Sequence, residues 1–214
     1  TQTAIQNKLW TGMAKETAHQ IGTPLSSLLG WVSLLKSKGI EEAKHMENDL
    51  KRLETITHRF SKIGSLPNLK KNDLVAATKE VFEYLSLRTP KSIEMRFSSK
   101  TPKKEILLNK ELYCWVIENL IKNSIDALKD KGVIELQITE KNSHVEIWVQ
   151  DTGQGIPKNM HKKFFLPGVT TKKRGWGLGL SLCRRIIEDY HQGSIQVRTS
   201  SKDKGTHFEI VLHK

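Results

Sequence analysis

Four short clusters of polar and glycine residues hold the side chains that could do chemistry in this sequence. In the first cluster, His19 and Thr23 lie four residues apart, and Pro24 follows directly. Residues four apart share one face of a helix, so an imidazole nucleophile and a hydroxyl would sit together. Because proline removes a backbone hydrogen bond and clashes with the preceding turn, Pro24 predicts a kink one turn after His19. Without its neighbours, a single helical histidine is more often an ordinary surface or core residue.

The second cluster is a pair of asparagines, Asn119 and Asn123, again at helical spacing. Leu120, Ile121 and Ile125 fall on the opposite side of the same helix and suit a buried face. Asparagine offers a carbonyl oxygen to a hard cation without adding charge. This property suits a magnesium ion bound to a nucleotide, although two helical asparagines alone are a weak signal.

Two glycine-rich segments form the third and fourth clusters. Asp151 follows a predicted strand and precedes Gly153 and Gly155, so the backbone can pass close to a planar ligand while the carboxylate accepts hydrogen bonds. A plain β-turn is the alternative. In Arg174–Ser181, three glycines precede a helix, where backbone amides and the positive helix end favour phosphate. A P-loop is excluded because its consensus is absent, and a Rossmann fold is disfavoured because this motif comes late in the chain.

Composition narrows the classes of protein that fit. The 214 residues include 35 Lys plus Arg against 23 Asp plus Glu, a net charge of +12, with 37% hydrophobic residues, which is ordinary for a folded protein. The densest basic run, Lys172–Arg174, lies beside glycines and suits phosphate better than a nucleic-acid surface. Two cysteines, Cys114 and Cys183, exclude a disulfide framework, and no segment reaches the ~20 apolar residues that span a bilayer.

The elements that must position these clusters begin with two helices. Apolar residues at steps of three and four predict helices over 5–36 and 43–64, with Gly39 between them. Helices joined by so short a loop form an antiparallel hairpin. Its two narrow apolar stripes cannot close a core alone, so we predict a homodimer in which two hairpins form a four-helix bundle.

After Pro67, which cannot extend the preceding helix, the pattern becomes mixed. Helices are predicted over 73–87, 110–129 and 177–191, and strands over 133–139, 145–150, 195–199 and 207–212. Consecutive hairpin-like strands beside helices favour an α/β two-layer sandwich over a parallel βαβ series.

Taken in order, these clusters resemble the sensor histidine kinases of two-component signalling, over nearly the whole chain. The matching segments are His19–Leu25 with the phosphoacceptor box, Asn119–Asn123 with the asparagine box, Asp151–Gly155 and Gly175–Leu180 with the two glycine boxes, Phe165–Lys172 with the phenylalanine box and Gly205–Phe208 with the terminal G-T motif.

The resemblance implies a dimerisation and histidine-phosphotransfer domain at 1–66 and a Bergerat-type ATP-binding domain at 67–214. It implies that His19 attacks the γ-phosphate of ATP, that Asn123, with Asn119 nearby, holds Mg²⁺, and that Asp151 binds the adenine amino group. The further nucleotide-binding residues it implies are Gly153, Gly155, Lys172, Lys173, Arg174, Gly175, Gly177, Gly179, Leu180 and Thr206.

The resemblance also implies partners. The phosphoryl group would pass from His19 to an aspartate of a response regulator docked on the hairpin, and Thr23 occupies the position that positions water when the regulator is dephosphorylated. We expect no nucleic acid partner and no membrane contact by this segment. The expected location is the cytoplasm. Where the family pattern holds, this segment would be the cytoplasmic part of a membrane sensor.

Two departures from the family keep alternatives open. Gln20 stands where an acidic residue usually follows the phosphoacceptor, and Gly168 stands where a second phenylalanine is common. Since a carboxylate can accept the imidazole proton and a carboxamide cannot, Gln20→Glu is expected to raise the autophosphorylation rate roughly tenfold or more. Gln20 also keeps open a non-catalytic scaffold or a phosphatase-biased regulator. A gyrase-like ATPase is disfavoured because it needs a water-activating Glu where Asn119 stands, and a nucleic-acid binder ranks third.

Overall fold

The computed structural model describes residues 2–63, 68–169, 177–201 and 204–214. The chain divides into two compact units, Thr1–Pro67 and Asn68–Lys214. The predicted boundary residues Ser65–Pro67 lie outside the described residues.

The first unit is a pair of packed helices, α1 (Gln2–Ser37) and α2 (Ala43–Ile63). Ala18, Leu25 and Val32 of α1 recur every seven residues and are buried, as is Ala43 of α2. Helix α1 continues through Pro24. The hairpin was predicted correctly, and the four-helix bundle, which needs a second copy, stays a prediction.

The second unit is built on a five-stranded sheet with a separate two-stranded ribbon. The strands are β1 (Lys70–Asp73), β2 (Ile93–Ser99), β3 (Glu105–Leu108), β4 (Gly132–Glu140), β5 (His144–Asp151), β6 (Ser194–Ser201) and β7 (Gly205–His213). The sheet order is β2-β4-β5-β7-β6, and β1 pairs with β3. Only the β2–β4 pair of the large sheet is parallel.

Helices α3 (Leu74–Ser86), α4 (Lys110–Leu128) and α5 (Gly179–Arg185) form the second layer. Alternate residues of the central strands point toward this layer, as the period of two requires, and are buried: Ile134, Leu136, Ile138, Val145, Ile147, Val149, Phe208, Ile210 and Leu212. Between α3 and α4, the Tyr113 hydroxyl and Thr78 Oγ1 lie 2.6 Å apart in the core. The core therefore sits between one sheet face and the helices, which is the predicted two-layer sandwich.

Both α3 and α4 begin at side-chain caps. The Asp73 carboxylate accepts hydrogen bonds from the amides of Val75 and Ala76, and Asn109 Oδ1 accepts one from the Leu112 amide, so both residues satisfy free donors of a first turn. Asp73 was predicted as the first helical residue and is instead the cap before it.

Helix α5 continues as a π-helical turn, Ile186–Tyr190, which ends at the buried His191. His191 Nε2 accepts the Asn109 amide hydrogen at 3.0 Å, and Nδ1 lies 2.7 Å from the Ile186 carbonyl oxygen. Burial lowers the pKa of His191, so the imidazole stays neutral and joins the end of this helical segment to the start of α4.

The predicted helices at 73–87, 110–129 and 177–191 and the strands at 133–139, 145–150, 195–199 and 207–212 are all present, with ends shifted by a few residues. The sequence prediction missed β1, β2 and β3 and did not anticipate the π turn. Strand β1 is entirely polar, whereas β2 carries a usable signal, because Ile93, Met95 and Phe97 alternate with polar residues.

Candidate functional site

The centre of the candidate site is Asp151, the last residue of β5, which is 2% exposed. Its Oδ1 atom accepts hydrogen bonds from the amides of Gly153 at 2.9 Å and Thr206 at 3.2 Å. Its Oδ2 atom accepts one from Ser124 Oγ at 3.0 Å. Strand β5, strand β7 and helix α4 therefore fix this carboxylate from three sides.

Burial is the main influence on the charge of Asp151 and raises the pKa of its carboxyl group, while the three hydrogen bonds oppose that rise. A carboxylate has about four lone-pair positions, so one stays available to a ligand. The site thus offers a fixed, buried acceptor of the kind that reads an amino group on a planar base.

Glycines shape the backbone around Asp151. A Cβ on Gly153 would lie 2.7 Å from the Ala127 carbonyl oxygen, one on Gly155 would lie 1.9 Å from the Ser201 carbonyl oxygen, and one on Gly205 would lie 1.8 Å from the Asp151 carbonyl oxygen. Gly155 and Gly205 also have positive φ angles of 71° and 83°. No other residue fits this loop without moving the backbone that carries Asp151.

Two serines belong to this site that the sequence did not reveal. Ser124 donates to Asp151, and Ser200 Oγ accepts the Ile156 amide hydrogen at 2.7 Å and donates to the Gly205 carbonyl oxygen at 2.9 Å. For Ser124 the signal was its spacing, because it comes one residue after Asn123 on α4. Ser200 carried none, since only the register of β6 against β7 brings it near Thr206.

Helix α4 brings the asparagine pair to a glycine segment. Asn119 Nδ2 donates to the Trp115 carbonyl oxygen at 3.0 Å. Its Oδ1 atom faces Gly179, where an added Cβ would approach it to 3.2 Å. Asn123 lies one turn further on the same helix and is half-buried, as is Leu180. The structure thus joins Asn119 to the second glycine segment through α4.

A backbone hydrogen bond joins Gly168, which follows the first glycine box, to Gly177 of the second. Gly177, with φ of 65°, accepts a hydrogen bond at its carbonyl oxygen from the Gly168 amide at 3.1 Å. Phe165 is buried edge-to-face against Phe208, and the Arg184 guanidinium lies 4.5 Å from the Phe165 ring centre. Four predicted nucleotide-binding residues lie outside the described residues: Lys172, Lys173, Arg174 and Gly175.

The side-chain oxygens of α4 suit magnesium only when the ion is bound together with phosphate groups. Over the described ranges, no group of three His, Cys, Asp or Glu side chains is placed to hold a metal ion. The amide oxygens of Asn119 and Asn123 are hard neutral donors, and Mg²⁺ commonly binds through few protein ligands plus substrate phosphates. The residues present therefore suit a nucleotide-borne ion and not a permanently bound metal.

The predicted phosphoacceptor lies on the surface of α1. His19, Gln20 and Thr23 are all exposed. Thr23 Oγ1 donates to the His19 carbonyl oxygen at 3.4 Å, and Gln20 Nε2 donates to Glu16 Oε1 at 2.9 Å. The imidazole is thus accessible to a phosphoryl donor, and the Gln20 amide is engaged by a carboxylate that the sequence prediction did not consider.

A groove of about 540 Å³ opens elsewhere on the second unit. Its lining is rich in basic and imidazole side chains and consists of Gln150, Lys158, His161, Arg198, Thr199, Ser200, Ser201, Lys204, Gly205, Thr206 and His207. Gln150 and His207 alternate with core-facing residues along their strands, so the groove opens on the sheet face away from the helices. It is separate from the side on which Asp151 meets α4.

Comparison with known proteins agrees with this arrangement. Residues 110–214 match the family of histidine kinase-, DNA gyrase B- and HSP90-like ATPases. Sporulation kinase A of Bacillus subtilis (strain 168) is 31% identical over 210 residues, which cover 94% of this chain and 34% of that protein. The chain spans less than half the length of this and the other curated relatives compared with it.

Solved structures show the same likeness. The catalytic domain of histidine kinase ThkA is 30% identical, with a TM-score of 0.62 over 68% of this chain and 97% of that one. The complex of ThkA with the response regulator protein TrrA gives 26% identity and a TM-score of 0.63 over 95% of this chain and 61% of that one. The nucleotide-binding unit has the Bergerat-type fold of this family.

Among the helices of the described residues, none combines the length and the apolar character needed to cross a membrane.

Proposed function

Because this chain belongs to the sensor histidine kinases of two-component signalling, we propose that it is a protein-histidine kinase that uses ATP to phosphorylate its own His19. The observation that carries the proposal is the way α4 joins the pieces of the nucleotide site. One face of this helix contributes Asn119 beside Gly179, Ser124 bonded to Asp151, and Ala127 packed against Gly153.

The buried carboxylate of Asp151 accepts the adenine amino group at its remaining lone pair, and the Thr206 amide holds the carboxylate in position. The glycines at 153, 155, 177 and 179 let the backbone approach the nucleotide, with Leu180 following at the start of α5. Lys172, Lys173, Arg174 and Gly175 are proposed to lie near the triphosphate, where positive charge offsets the charge of the phosphates.

The proposed magnesium ligand is the Asn123 side chain, with Asn119 beside it, and an ion held there would supply positive charge to offset the charge of the phosphates. The protein's own part is to fix two neutral oxygens on α4. Asn119 is anchored by the hydrogen bond from its Nδ2 atom to the Trp115 carbonyl oxygen. This bond does not use the Oδ1 atom of Asn119.

In the transfer step, an imidazole nitrogen of His19 attacks the γ-phosphorus of ATP. A nitrogen–phosphorus bond forms, and the bond from phosphorus to the bridging oxygen breaks, so that the electron pair leaves with ADP. The exposure of His19 supports this role. Asn119 also supports it, because no glutamate stands there to activate water for hydrolysis, and a neutral imidazole is the better nucleophile.

The hairpin, residues 1–66, is proposed to be the dimerisation and phosphotransfer domain, and residues 67–214 the ATP-binding domain. Several large apolar side chains of the hairpin are 45–62% exposed: Ile21, Leu28, Trp31 and Leu34 of α1, with Met46 and Leu53 of α2. Exposed apolar stripes of this kind favour association. A second copy that covers them would complete a four-helix bundle.

The proposed acceptor of the phosphoryl group is an aspartate of a response regulator. Support comes from the similarity of this chain to ThkA, whose structure was solved with the response regulator protein TrrA. The reaction uses ATP, which places it in the cytoplasm.

Phosphatase activity toward the regulator is a second proposed activity, carried by Thr23. This side chain is exposed on the same face of α1 as His19 and is held by its bond to the His19 carbonyl oxygen. Its hydroxyl is therefore positioned to orient a water molecule beside the docked phosphoaspartate.

Incubation with γ-labelled ATP and Mg²⁺ tests the kinase proposal. The chain should take up label that acid removes and alkali does not, and His19→Gln should abolish uptake while ATP affinity stays the same. Label retained in His19→Gln, or release of labelled phosphate without protein labelling, would contradict the assignment and favour an ATPase.

A further inference from the structure

The proton acceptor for His19 is missing at the position where this family carries it. Gln20 has an amide, which can donate and accept hydrogen bonds but does not take up a proton at neutral pH. If the kinase reaction occurs, a carboxylate elsewhere has to supply that chemistry, or the reaction proceeds without it.

The structure places a carboxylate next to this amide. Gln20 Nε2 donates to Glu16 Oε1 at 2.9 Å across one turn of α1. Both side chains are exposed, so the contact is made at the surface beside His19. An amide that donates to a carboxylate limits its rotation, so Gln20 orients Glu16.

The spacing of Glu16 and His19 on α1 puts the two side chains within reach of each other. Glu16 lies three residues before His19, and residues three apart are neighbours on a helix surface, with about 5–6 Å between their Cβ atoms. Side chains in a helix also lean toward its N-terminus, so the imidazole extends toward the turn that carries Glu16. Gln20 is adjacent to His19 in sequence, and adjacent residues do not face each other on a helix.

From the hydrogen bond between Gln20 and Glu16 and the three-residue spacing of Glu16 and His19, we infer that Glu16 is the proton acceptor of His19 and that Gln20 is its positioning residue. The pair divides between two side chains the work that one acidic residue does in the family. This inference rests on the proposed kinase function and names a residue that neither the sequence motif nor the family pattern indicated.

The Glu16 carboxylate accepts a hydrogen bond from Nδ1–H of His19, which leaves the lone pair of Nε2 free to attack the γ-phosphorus. The Nε2–phosphorus bond forms and the bond to the bridging oxygen breaks, with its electron pair leaving on ADP. The Nδ1 proton then shifts to Glu16, so that the phosphorylated ring becomes neutral.

The assignment reverses the expectation for Gln20→Glu. That change puts a second carboxylate one turn from Glu16, and like charges at this spacing repel, while the orienting amide is lost. We therefore expect no tenfold gain from Gln20→Glu in the presence of Glu16.

The test is single-turnover autophosphorylation of the full chain and four variants. Glu16→Gln should lower the rate roughly 10- to 100-fold, at or below the lower end of the usual contribution of a proton-transfer group. The double variant Glu16→Gln with Gln20→Glu moves the carboxylate to the family position and should recover most of the rate. Gln20→Glu alone should not exceed the parent, and Glu42→Gln, in the exposed turn between the helices, is the matched control.

Two readouts separate this role from a structural one. Nitrogen-15 NMR of His19 should show a smaller fraction of the Nδ1–H tautomer in Glu16→Gln than in the parent chain. Phosphoryl transfer from already phosphorylated chain to the regulator should keep its rate, because a disrupted helix would lower both reactions.

An unchanged autophosphorylation rate in Glu16→Gln, with the parent labelled on His19, would overturn the inference and leave the kinase function standing. A loss in Glu16→Gln that the double variant does not recover would also overturn it, because the carboxylate would then act only on the helix. Absence of label on His19 in the parent would instead refute the kinase proposal itself.

Discussion

The two units of the molecule keep their polar chemistry in opposite surroundings. In the ATP-binding unit, Asp151 and Thr206 are buried, and every described hydrogen bond to the Asp151 carboxylate comes from the same unit. In the hairpin, His19 and Thr23 are exposed. The fold itself fixes the Asp151 carboxylate, whereas the proposed phosphoacceptor face of the hairpin is open to a partner.

The apolar residues follow the same division. The ATP-binding unit encloses a continuous core between its sheet and helices. The hairpin buries Ala18, Leu25, Val32 and Ala43 but leaves Leu28 and other large side chains exposed. Substitution of an apolar residue in the enclosed core should act mainly on stability. Substitution of an exposed apolar residue of the hairpin should act mainly on association or reaction.

The largest contrast should come from two glycines with nearly the same backbone. Gly39 of the hairpin and Gly205 of the ATP-binding unit have φ angles of 78° and 83°. An added Cβ meets nothing within 4 Å at Gly39 but lies 1.8 Å from the Asp151 carbonyl oxygen at Gly205. Gly39→Ala should cost about 1 kcal/mol of unfolding free energy, for the left-handed backbone alone.

Gly205→Ala should add the cost of overpacking and reach about 3 kcal/mol or more. Urea unfolding followed by circular dichroism measures both variants. Equal losses at the two positions would show that the backbone angle, and not the surroundings, decides the cost.

The next largest effect concerns Asp151→Asn, which should separate ligand binding from stability. An asparagine oxygen can accept both amide hydrogens and its NH₂ can donate to Ser124, so the folded unit should tolerate the change. The lost charge removes a charge-assisted hydrogen bond to the nucleotide, worth about 1.5–3 kcal/mol, or roughly a 10- to 100-fold weaker ATP affinity by calorimetry.

The pH dependence of the same variant has a definite sign. Because the pKa of Asp151 is raised in the folded state by burial, folding favours its protonated form, and the parent loses this contribution as pH rises through the folded pKa. Asp151→Asn lacks that loss, so its stability relative to the parent should improve from acidic to neutral pH. Asp130→Asn, an exposed carboxylate after α4, should change neither property.

A charge in the exposed apolar stripe should weaken the proposed dimer. Leu28 is 49% exposed. Burying this exposed part in a dimer would contribute about 1 kcal/mol of association free energy in each copy. Leu28→Glu should therefore raise the dimer dissociation constant by about thirtyfold or more, as measured by analytical ultracentrifugation. Leu87→Glu is the control, since Leu87 is 84% exposed on the other unit; an equal effect there would refute the stripe as the interface.

Thr23→Ala should have a smaller and selective effect. It removes the hydroxyl proposed to orient water, so dephosphorylation of the regulator should fall several-fold while autophosphorylation stays nearly unchanged. Ser26→Ala is the matched control, because Ser26 Oγ makes the same kind of bond to a carbonyl oxygen four residues earlier. Loss of both activities in Thr23→Ala would indicate that the helix, and not the hydroxyl, was disturbed.

The smallest effects should come from two surface glutamates, one in each unit. Hydrogen bonds from Lys36 and Lys51 lower the pKa of Glu47 to about 2, and hydrogen bonds from Lys104 and Lys214 do the same for Glu140. A carboxyl group whose pKa is lower in the folded than in the unfolded state stabilises the folded protein at pH values above its unfolded pKa. This contribution is lost as the pH falls toward 2.

Glu47→Gln and Glu140→Gln should therefore be slightly less stable than the parent near neutral pH, and the difference should vanish near pH 2 or in high salt. Thermal unfolding at two pH values and two salt concentrations measures this. A difference that persists in high salt would show that packing, and not charge, is responsible.

Long periodic elements of the fold were accessible from the sequence, and short ones were not. The amphipathic α1, α2 and α4 follow from apolar spacing, and the strand pair β4–β5 from alternation after Gly132. Strand β1 was missed because its four residues are all polar and only its pairing with β3 makes it a strand.

The candidate site divides in the same way. Asp151, Asn119 and the glycines were found because motifs keep them close in sequence. Ser200 reaches the site only through the pairing of β6 and β7. Contacts between distant segments depend on register and rotamer, which a single sequence does not specify.

The hydrogen bond from the Gly168 amide to the Gly177 carbonyl oxygen also bears on how this protein can be engineered. This backbone hydrogen bond holds together the two residues that flank the intervening chain. Doubling the length of such a closed loop adds only about 0.6 kcal/mol of closure entropy. A short peptide tag that doubles the stretch between these glycines should therefore leave the surrounding domain folded.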